Sequence, residues 1–285
     1  MKIGISMFVT DRMISPVALG RAIEERGLDS LFLPEHSHIP TSRKTTWPGS
    51  RPGENDPLPD YYLHMHDQMV SLSMIAAVTE GLILGTAVTI IPQHDPIWLA
   101  KQTATLDALY GGRLMLGAGF GWNDEQGASH GVVYKERRDR TEECIEILRR
   151  LWRDEKAAYS GQHLKLEEAW AWPKPAQHGG PPILIGGIGP RTYDAIGRYA
   201  DGWLPITGHS SIVDRLQPIQ AAFEKYDRDP ASIRVVIAGA TTDPAGLENL
   251  RNEGVEQALL TVWSEDNDEV MRTLDSFAET KRNLD

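Results

Sequence analysis

The sequence predicts an α/β protein folded as a (β/α)8 (TIM) barrel, with insertions after the second strand and before the fifth. Three observations predict it. Eight short apolar segments bounded by Gly, Pro or Asp read as strands covered on both faces. Helical patterns lie between them, so the two element types alternate from end to end. Right-handed crossovers between successive parallel strands then close the sheet on itself. An open doubly wound sheet is the other arrangement of the same alternation.

The strands are expected over 2–9, 30–34, 82–88, 114–118, 182–186, 202–206, 234–239 and 257–263. Ser15-Pro16, Asp95-Pro96 and Asp243-Pro244 each place an N-cap before a proline at the first helical position. Gly27, Gly111 and Gly254 mark helix ends where the chain turns left-handed. Over 136–155, Cys144, Ile147, Leu148 and Leu151 recur at the spacing of one buried helix face, and Val270, Leu274, Phe277 and Ala278 do the same near the end. With no internal repeat, residues 1–285 read as one domain.

Composition narrows the class further. Forty acidic against 29 basic residues give a net charge of −11, which disfavours nucleic acid or an anionic membrane as the main partner. The lone Cys144 excludes an intramolecular disulfide, fits a reducing compartment and reads as inert packing. The apolar start, Ile3-Ile5-Met7-Val9, is too short for a signal peptide, and no run of about 18 apolar residues occurs. A cytoplasmic globular protein is expected.

Two stretches exceed a minimal barrel. Residues 37–67, with Pro40, Pro48, Pro52, Pro57 and Pro59, follow the second strand and so lie at the end where barrel active sites are built. They read as a lid, with Tyr61 and Tyr62 available to cover a substrate. Residues 157–175, with Tyr159-Ser160-Gly161 and the Trp170/Trp172 pair, read as a hairpin before the fifth strand. The eight tryptophans are expected mostly in the core or in pocket walls, with Trp122 and Trp263 at strand ends.

Candidate chemistry gathers at the C-terminal ends of the strands. Glu35-His36-Ser37-His38 follows the second; an imidazole there can move a proton near neutral pH, against the plainer reading of a lid-packing histidine. His36-x-His38 and His64-x-His66 also have the spacing of metal ligands. The strand ends at Gly186-Gly187 and Trp263 add no donor, and His209 alone supports a metallohydrolase, so no metal is expected. The run Gly186-Gly187-Ile188-Gly189-Pro190-Arg191-Thr192 can turn backbone N–H groups toward an anion at a helix start, or be a tight turn needing glycine for its dihedrals. Gly117-Ala118-Gly119-Phe120-Gly121-Trp122 fails the dinucleotide spacing and reads instead as close backbone approach to a flat ligand.

These segments together resemble the luciferase-like monooxygenase superfamily, in its branch of coenzyme F420-dependent oxidoreductases. The resemblance rests on 31–39 (LFLPEHSHI), 82–92 (LILGTAVTIIP), 100–122 (AKQTATLDALYGGRLMLGAGFGW) and 182–205 (PILIGGIGPRTYDAIGRYADGWLP). It implies a deazaflavin, or FMN, across the barrel mouth. It makes Glu35-His36 the acid–histidine pair beside the ring, with His36 the proton donor or acceptor. Ala87-Val88 become a bulge behind the ring, often with a non-prolyl cis peptide. Gly186, Gly187 and Ile188 become the phosphate cradle, with Arg191 and Thr192 as weaker matches. The family's sugar-phosphate dehydrogenases carry a glutamate where this chain has Trp122, which speaks against a glucose 6-phosphate-type substrate.

The expected activity is hydride transfer between the deazaflavin C5 and a small organic substrate. An FMN-dependent monooxygenase using oxygen is the alternative on the same fold, and a non-catalytic flavin or deazaflavin carrier is the alternative of another class. A homodimer is expected from the resemblance.

Overall fold

The computed structural model describes residues 1–49, 58–206 and 212–284. Its parallel strands are β1 (Lys2–Met7), β2 (Ser30–Leu33), β3 (Ile83–Thr86), β4 (Thr89–Ile90) and β5 (Leu114–Gly119). After a hairpin of β6 (Ala157–Ser160) and β7 (Lys165–Ala169) come β8 (Ile183–Gly186), β9 (Gly202–Leu204), β10 (Arg234–Ala238) and β11 (Gln257–Val262). The helices are α1 (Pro16–Glu25), α2 (Gln68–Ala76), α3 (Pro96–Leu109), α4 (Asp124–Ser129) and α5 (Arg137–Arg153). They continue with α6 (Pro190–Tyr199), α7 (Val213–Lys225), α8 (Pro244–Asn252) and α9 (Asn267–Arg282).

The barrel closes. In order β1, β2, β3, β5, β8, β9, β10 and β11, each strand pairs in parallel with the next, and β11 returns to β1 with Lys2 opposite Gln257 and Met7 opposite Val262. The open-sheet alternative is thereby excluded. The barrel interior is filled by Phe32, Met115, Leu184, Leu204, Val236 and Leu259, with Ala87 and Val88 half-buried at its upper edge. A larger apolar layer lies between the strands and the helices. Each such aliphatic side chain contributes about 1.5–3 kcal/mol by leaving water.

The expected caps are present. Ser15, Asp95 and Asp243 each accept a backbone N–H from the first turn of α1, α3 and α8, and proline opens each helix. At the opposite end of the barrel from the strand C-termini, Arg113 joins the approaches to β3 and β5. Its guanidinium donates to the carbonyls of Leu82 and Thr79 at 2.8 Å, Tyr110 at 2.9 Å and Ala76 at 3.2 Å.

One expectation needs correcting. The strand expected over 82–88 is two pieces, because the chain bulges at Ala87-Val88, where the peptide bond is cis, before β4 resumes. The tryptophans are mostly in the core or at the barrel mouth, as expected: Trp152 and Trp203 are buried and Trp47, Trp122 and Trp263 stand at the mouth, whereas Trp98, Trp170 and Trp172 lie on the surface. Trp170 and Trp172 flank the hairpin and carry lysine heads over their rings, Lys156 at 5.2 Å and Lys174 at 5.1 Å. The stretch 37–67 contains a short 3-10 turn, Asp60–Leu63. Its central part, with Pro52 and Pro57, and His209 lie outside the described residues. Cys144 is fully buried, and burial pushes its thiol up to about 12. No helix among the described residues is long and apolar enough to cross a membrane.

Candidate active site at the barrel mouth

The site is built where the strands end. Chain leaving β2 delivers Glu35 and His36, the bulge after β3 delivers Ala87 and Val88, and the turn after β5 delivers Trp122 and then α4. Asn123 caps α4 by accepting the Gln126 N–H at 2.9 Å, which turns the Gln126 side chain inward. Gln126 is fully buried, and its Oε1 accepts from His36 Nδ1 at 2.7 Å. Its Nε2 in turn donates to Gln93 Oε1 at 3.2 Å and to Ser37 Oγ at 3.3 Å. That network assigns the imidazole proton to Nδ1 and leaves the Nε2 lone pair as the acceptor.

Nε2 receives the Trp122 indole N–H at 3.3 Å, with the two rings edge-on at 5.7 Å. Tyr62 tilts over the other side, 5.1 Å from the imidazole centroid. Burial lowers the His36 pKa below 6.5; the Gln126 hydrogen bond and the Glu35 charge oppose that shift without reversing it. The imidazole is therefore neutral at pH 7 and holds a proton acceptor at Nε2.

Glu35 and His36 do not pair. The Glu35 carboxylate accepts the Ile90 N–H at 2.6 Å and His94 Nε2 at 2.7 Å. Burial disfavours charge on His94, yet the Glu35 bond and charge outweigh it and raise the His94 pKa. Glu35 thus pairs with His94 as a clamp on β4, while His36 bonds Gln126 and Trp122. Buried Gln68 completes the support of the bulge, donating to the Leu33 carbonyl and accepting the Thr89 hydroxyl at 2.7 Å.

Val88 explains two of the glycines. A Cβ on Gly119 would lie 2.4 Å from Val88 Cγ2, and one on Gly186 would lie 3.1 Å from Val88 Cγ1. The space these glycines leave is taken by the bulge itself. Gly121 has φ +77° and lets the chain turn toward Trp122.

The glycine turn after β8 is open. Gly187 and Gly189 have φ +100° and +105°, and a Cβ on Gly189 would meet nothing within 4 Å. The N–H groups of Ile188 and Gly189 meet no acceptor among the described residues. Thr192 is buried behind the turn, with its hydroxyl 3.3 Å from the Ile188 carbonyl, while Arg191 is exposed on the first turn of α6. Unmet backbone donors, a helix N-terminus and an adjacent guanidinium suit a phosphate, so these residues fit a phosphorylated flavin or deazaflavin.

Aromatic side chains wall the mouth. Phe8 lies 4.5 Å from Tyr61 and 5.0 Å from Tyr62, and Trp263 lies 6.4 Å from Tyr61. Burial, with help from Tyr62, raises the Tyr61 phenol to about 12, so it stays neutral. The loop bearing the tyrosines is tied on both legs. Glu125 accepts the Lys44 N–H at 2.6 Å and the Thr45 hydroxyl at 2.6 Å, and these bonds hold its carboxyl down at about 2. The returning leg is fixed where the His66 N–H donates to the Val9 carbonyl at 2.9 Å.

His38 stands apart from His36, bonded through Ser37 Oγ at 3.0 Å, and the same oxygen meets His130 Nε2 at 2.7 Å. His64 pairs with Asp11 at 2.9 Å, so the two His-x-His pairs do not converge. Among the described residues no group of three His, Cys, Asp or Glu side chains could hold a metal ion. Sequence reasoning missed Gln126 and His94. The Asn123 cap signal and the Gln93-His94-Asp95 helix entry were the available cues.

The luciferase-like monooxygenase family model matches residues 12–243. An uncharacterized protein of Mycobacterium tuberculosis is 39% identical over 232 residues, covering 80% of each chain. The F420-dependent glucose-6-phosphate dehydrogenase of Nakamurella multipartita is 30% identical over 217 residues, which span 74% of this chain and 58% of that enzyme. A monooxygenase from Streptomyces bottropensis has the same fold, with a TM-score of 0.79, 19% identity and 99% coverage of both chains. F420-dependent dehydrogenases recur among the matched relatives, and F420-dependent enzymes among the structures sharing the barrel. The chain belongs to the luciferase-like monooxygenase family, alongside its F420-dependent oxidoreductases.

Proposed function

We propose that the protein is an F420-dependent oxidoreductase that moves a hydride between the deazaflavin C5 and a small organic substrate. The observation that carries the proton-handling part is His36: a half-buried, neutral imidazole with its tautomer fixed by Gln126 and its Nε2 turned to Trp122 at 3.3 Å. When bound, the deazaflavin supplies the hydride-accepting or hydride-donating carbon. Everything else falls to the chain. Ala87 and Val88 give an apolar floor for a flat ring, and the turn at Gly186, Gly187, Ile188 and Gly189, with Arg191 and Thr192, holds the phosphate. A substrate hydroxyl displaces the long Trp122 bond and donates to His36 Nε2, which takes the proton as the hydride leaves carbon; in reverse, Nε2–H returns it to a carbonyl oxygen. Tyr61 and Tyr62 exclude water.

Trp122 fills the place at which the sugar-phosphate dehydrogenases carry a glutamate, which speaks against a glucose 6-phosphate-type substrate. Titration with F420 and with FMN, followed by ring fluorescence, tests the cofactor. Tight FMN binding with oxygen-dependent turnover would establish the monooxygenase reading instead. Binding without turnover of any alcohol or carbonyl would leave a carrier.

A homodimer is part of this reading. Neighbouring helices α2 and α3 expose Val70, Met74, Ile97 and Trp98, and Trp98 is 68% exposed. Such apolar side chains on adjacent helices suit contact with a second copy.

A further inference from the structure

Beyond His36 lies a second pair of imidazoles that the proposed reaction does not use. Ser37 and His38 are exposed where the chain leaves β2, and His130 is exposed at the end of α4. The Ser37 hydroxyl lies 2.7 Å from His130 Nε2 and 3.0 Å from His38 Nδ1, and the two ring centroids are 5.5 Å apart. The same oxygen accepts from Gln126 Nε2 at 3.3 Å, and Gln126 Oε1 fixes the His36 tautomer. A continuous run of hydrogen bonds thus joins a solvent-facing histidine pair to the proposed proton carrier.

The hydroxyl has one proton to give and two lone pairs to fill. Gln126 takes one lone pair, so of the two facing imidazole nitrogens one donates and the other accepts. When the accepting ring gains a proton, three N–H groups point at two lone pairs and the hydroxyl proton loses its acceptor. The histidine pair and the Gln126 bond can then no longer be kept together. Burial lowers the His130 pKa, and the charges of His38 and His94 lower it further against the opposing charge of Glu35. The conflict therefore arises on the acid side of neutrality.

We infer that Ser37 is a positioning residue that couples protonation of the His38–His130 pair to the orientation of the Gln126 amide, and through it to the nitrogen His36 leaves free. A carboxamide does not pass a proton along, so the coupling acts through orientation. Held by both Gln93 and Ser37, the amide presents Oε1 to His36 Nδ1. With Ser37 withdrawn, Gln93 alone opposes a flip that would turn Nε2 toward the ring and move the imidazole proton to His36 Nε2. In that tautomer the nitrogen facing Trp122 is no longer a base. The inference rests on the proton-carrying role proposed for His36 and adds to it an acid-side switch outside the cofactor site.

The test is nitrogen-15 NMR of the histidine rings in the full chain, a readout that needs neither cofactor nor substrate, from about pH 8 to about pH 5. In the wild type the His36 signals should show, besides their own titration, a second step at the midpoint of His38 or His130. Ser37→Ala should abolish that step while the outer pair still titrates. It should also shift the His36 tautomer ratio about two- to tenfold toward Nε2–H, the effect of losing one hydrogen bond on the amide. Ser37→Thr should restore both. Ser37 is exposed, so the fold does not depend on it. His38→Gln/His130→Gln, which removes both titrating rings, should remove the step with Ser37 in place. A single step in the wild type, or an unchanged tautomer ratio in Ser37→Ala, would overturn the coupling and leave the cofactor assignment standing. Failure of F420 to bind in a fluorescence titration would overturn the cofactor assignment, with the coupling still read independently in the ring nitrogens.

Discussion

The amide of Gln126 decides which nitrogen of His36 is free. Its Oε1, 2.7 Å from Nδ1, is committed as an acceptor because its Nε2 donates to Gln93 and Ser37. A glutamate at this place would bring a charge and favour the imidazolium. Gln126→Glu should therefore move the acid limb of the pH–rate profile upward by roughly one to two units. Gln126→Leu should cost about 1–3 kcal/mol in urea melts, because a buried N–H is left unmet. An unmoved acid limb in Gln126→Glu would remove the tautomer assignment.

His36→Ala should lower turnover by about 10²–10⁴-fold, the range for losing a positioned proton carrier. Fluorescence titration should show cofactor affinity nearly unchanged. A large loss of affinity with preserved turnover would make the residue part of the ring site instead.

Acid should weaken the fold through the same imidazole. The folded pKa of His36 lies below 6.5, so below 6.5 the unfolded chain binds a proton that the folded site refuses. That loss of stability grows as pH falls toward the folded pKa and then levels off; above 6.5 it is absent. His94 has the opposite sign: its raised pKa adds stability that is complete below 6.5 and vanishes as pH rises through the folded value. Melting temperatures of His36→Asn and His94→Asn across this window should diverge from the wild type in opposite directions.

Gly119→Ala should disturb the bulge. The added Cβ would lie 2.4 Å from Val88 Cγ2, and relieving that contact should cost about 1–3 kcal/mol. Val88→Ala in the same chain should recover much of it. A Gly119→Ala protein as stable as the wild type would mean that Val88 repacks freely.

Trp98→Glu should yield monomers by sedimentation, with activity assays reporting whether the mouth depends on the second copy. Unchanged sedimentation would place any dimer contact elsewhere.

The barrel was readable because its cues are local. Apolar runs bounded by glycine, Ser15-Pro16 and Asp95-Pro96 act within a few residues, and each element formed close to where it was expected. His36 was readable from its place after a strand. The partner of Glu35 was not, because His94 arrives from 59 residues away, after the bulge. Gln126 was equally hidden: a glutamine carries no signature until the fold brings it 2.7 Å from an imidazole 90 residues earlier. Trp170 and Trp172 depart from the majority for a different reason, since size alone favours burial and neighbouring lysines reverse it only in three dimensions.

Arg113 separates two duties in the molecule. By gathering four carbonyls at the end remote from His36, one guanidinium ties the approaches to β3 and β5 together without involving any residue of the mouth. Aromatic side chains around Phe8 and Trp263 can then be exchanged while the ring of strands stays shut. New substrate preferences are accessible to this scaffold at little cost in integrity, provided the fastening at its base is left alone.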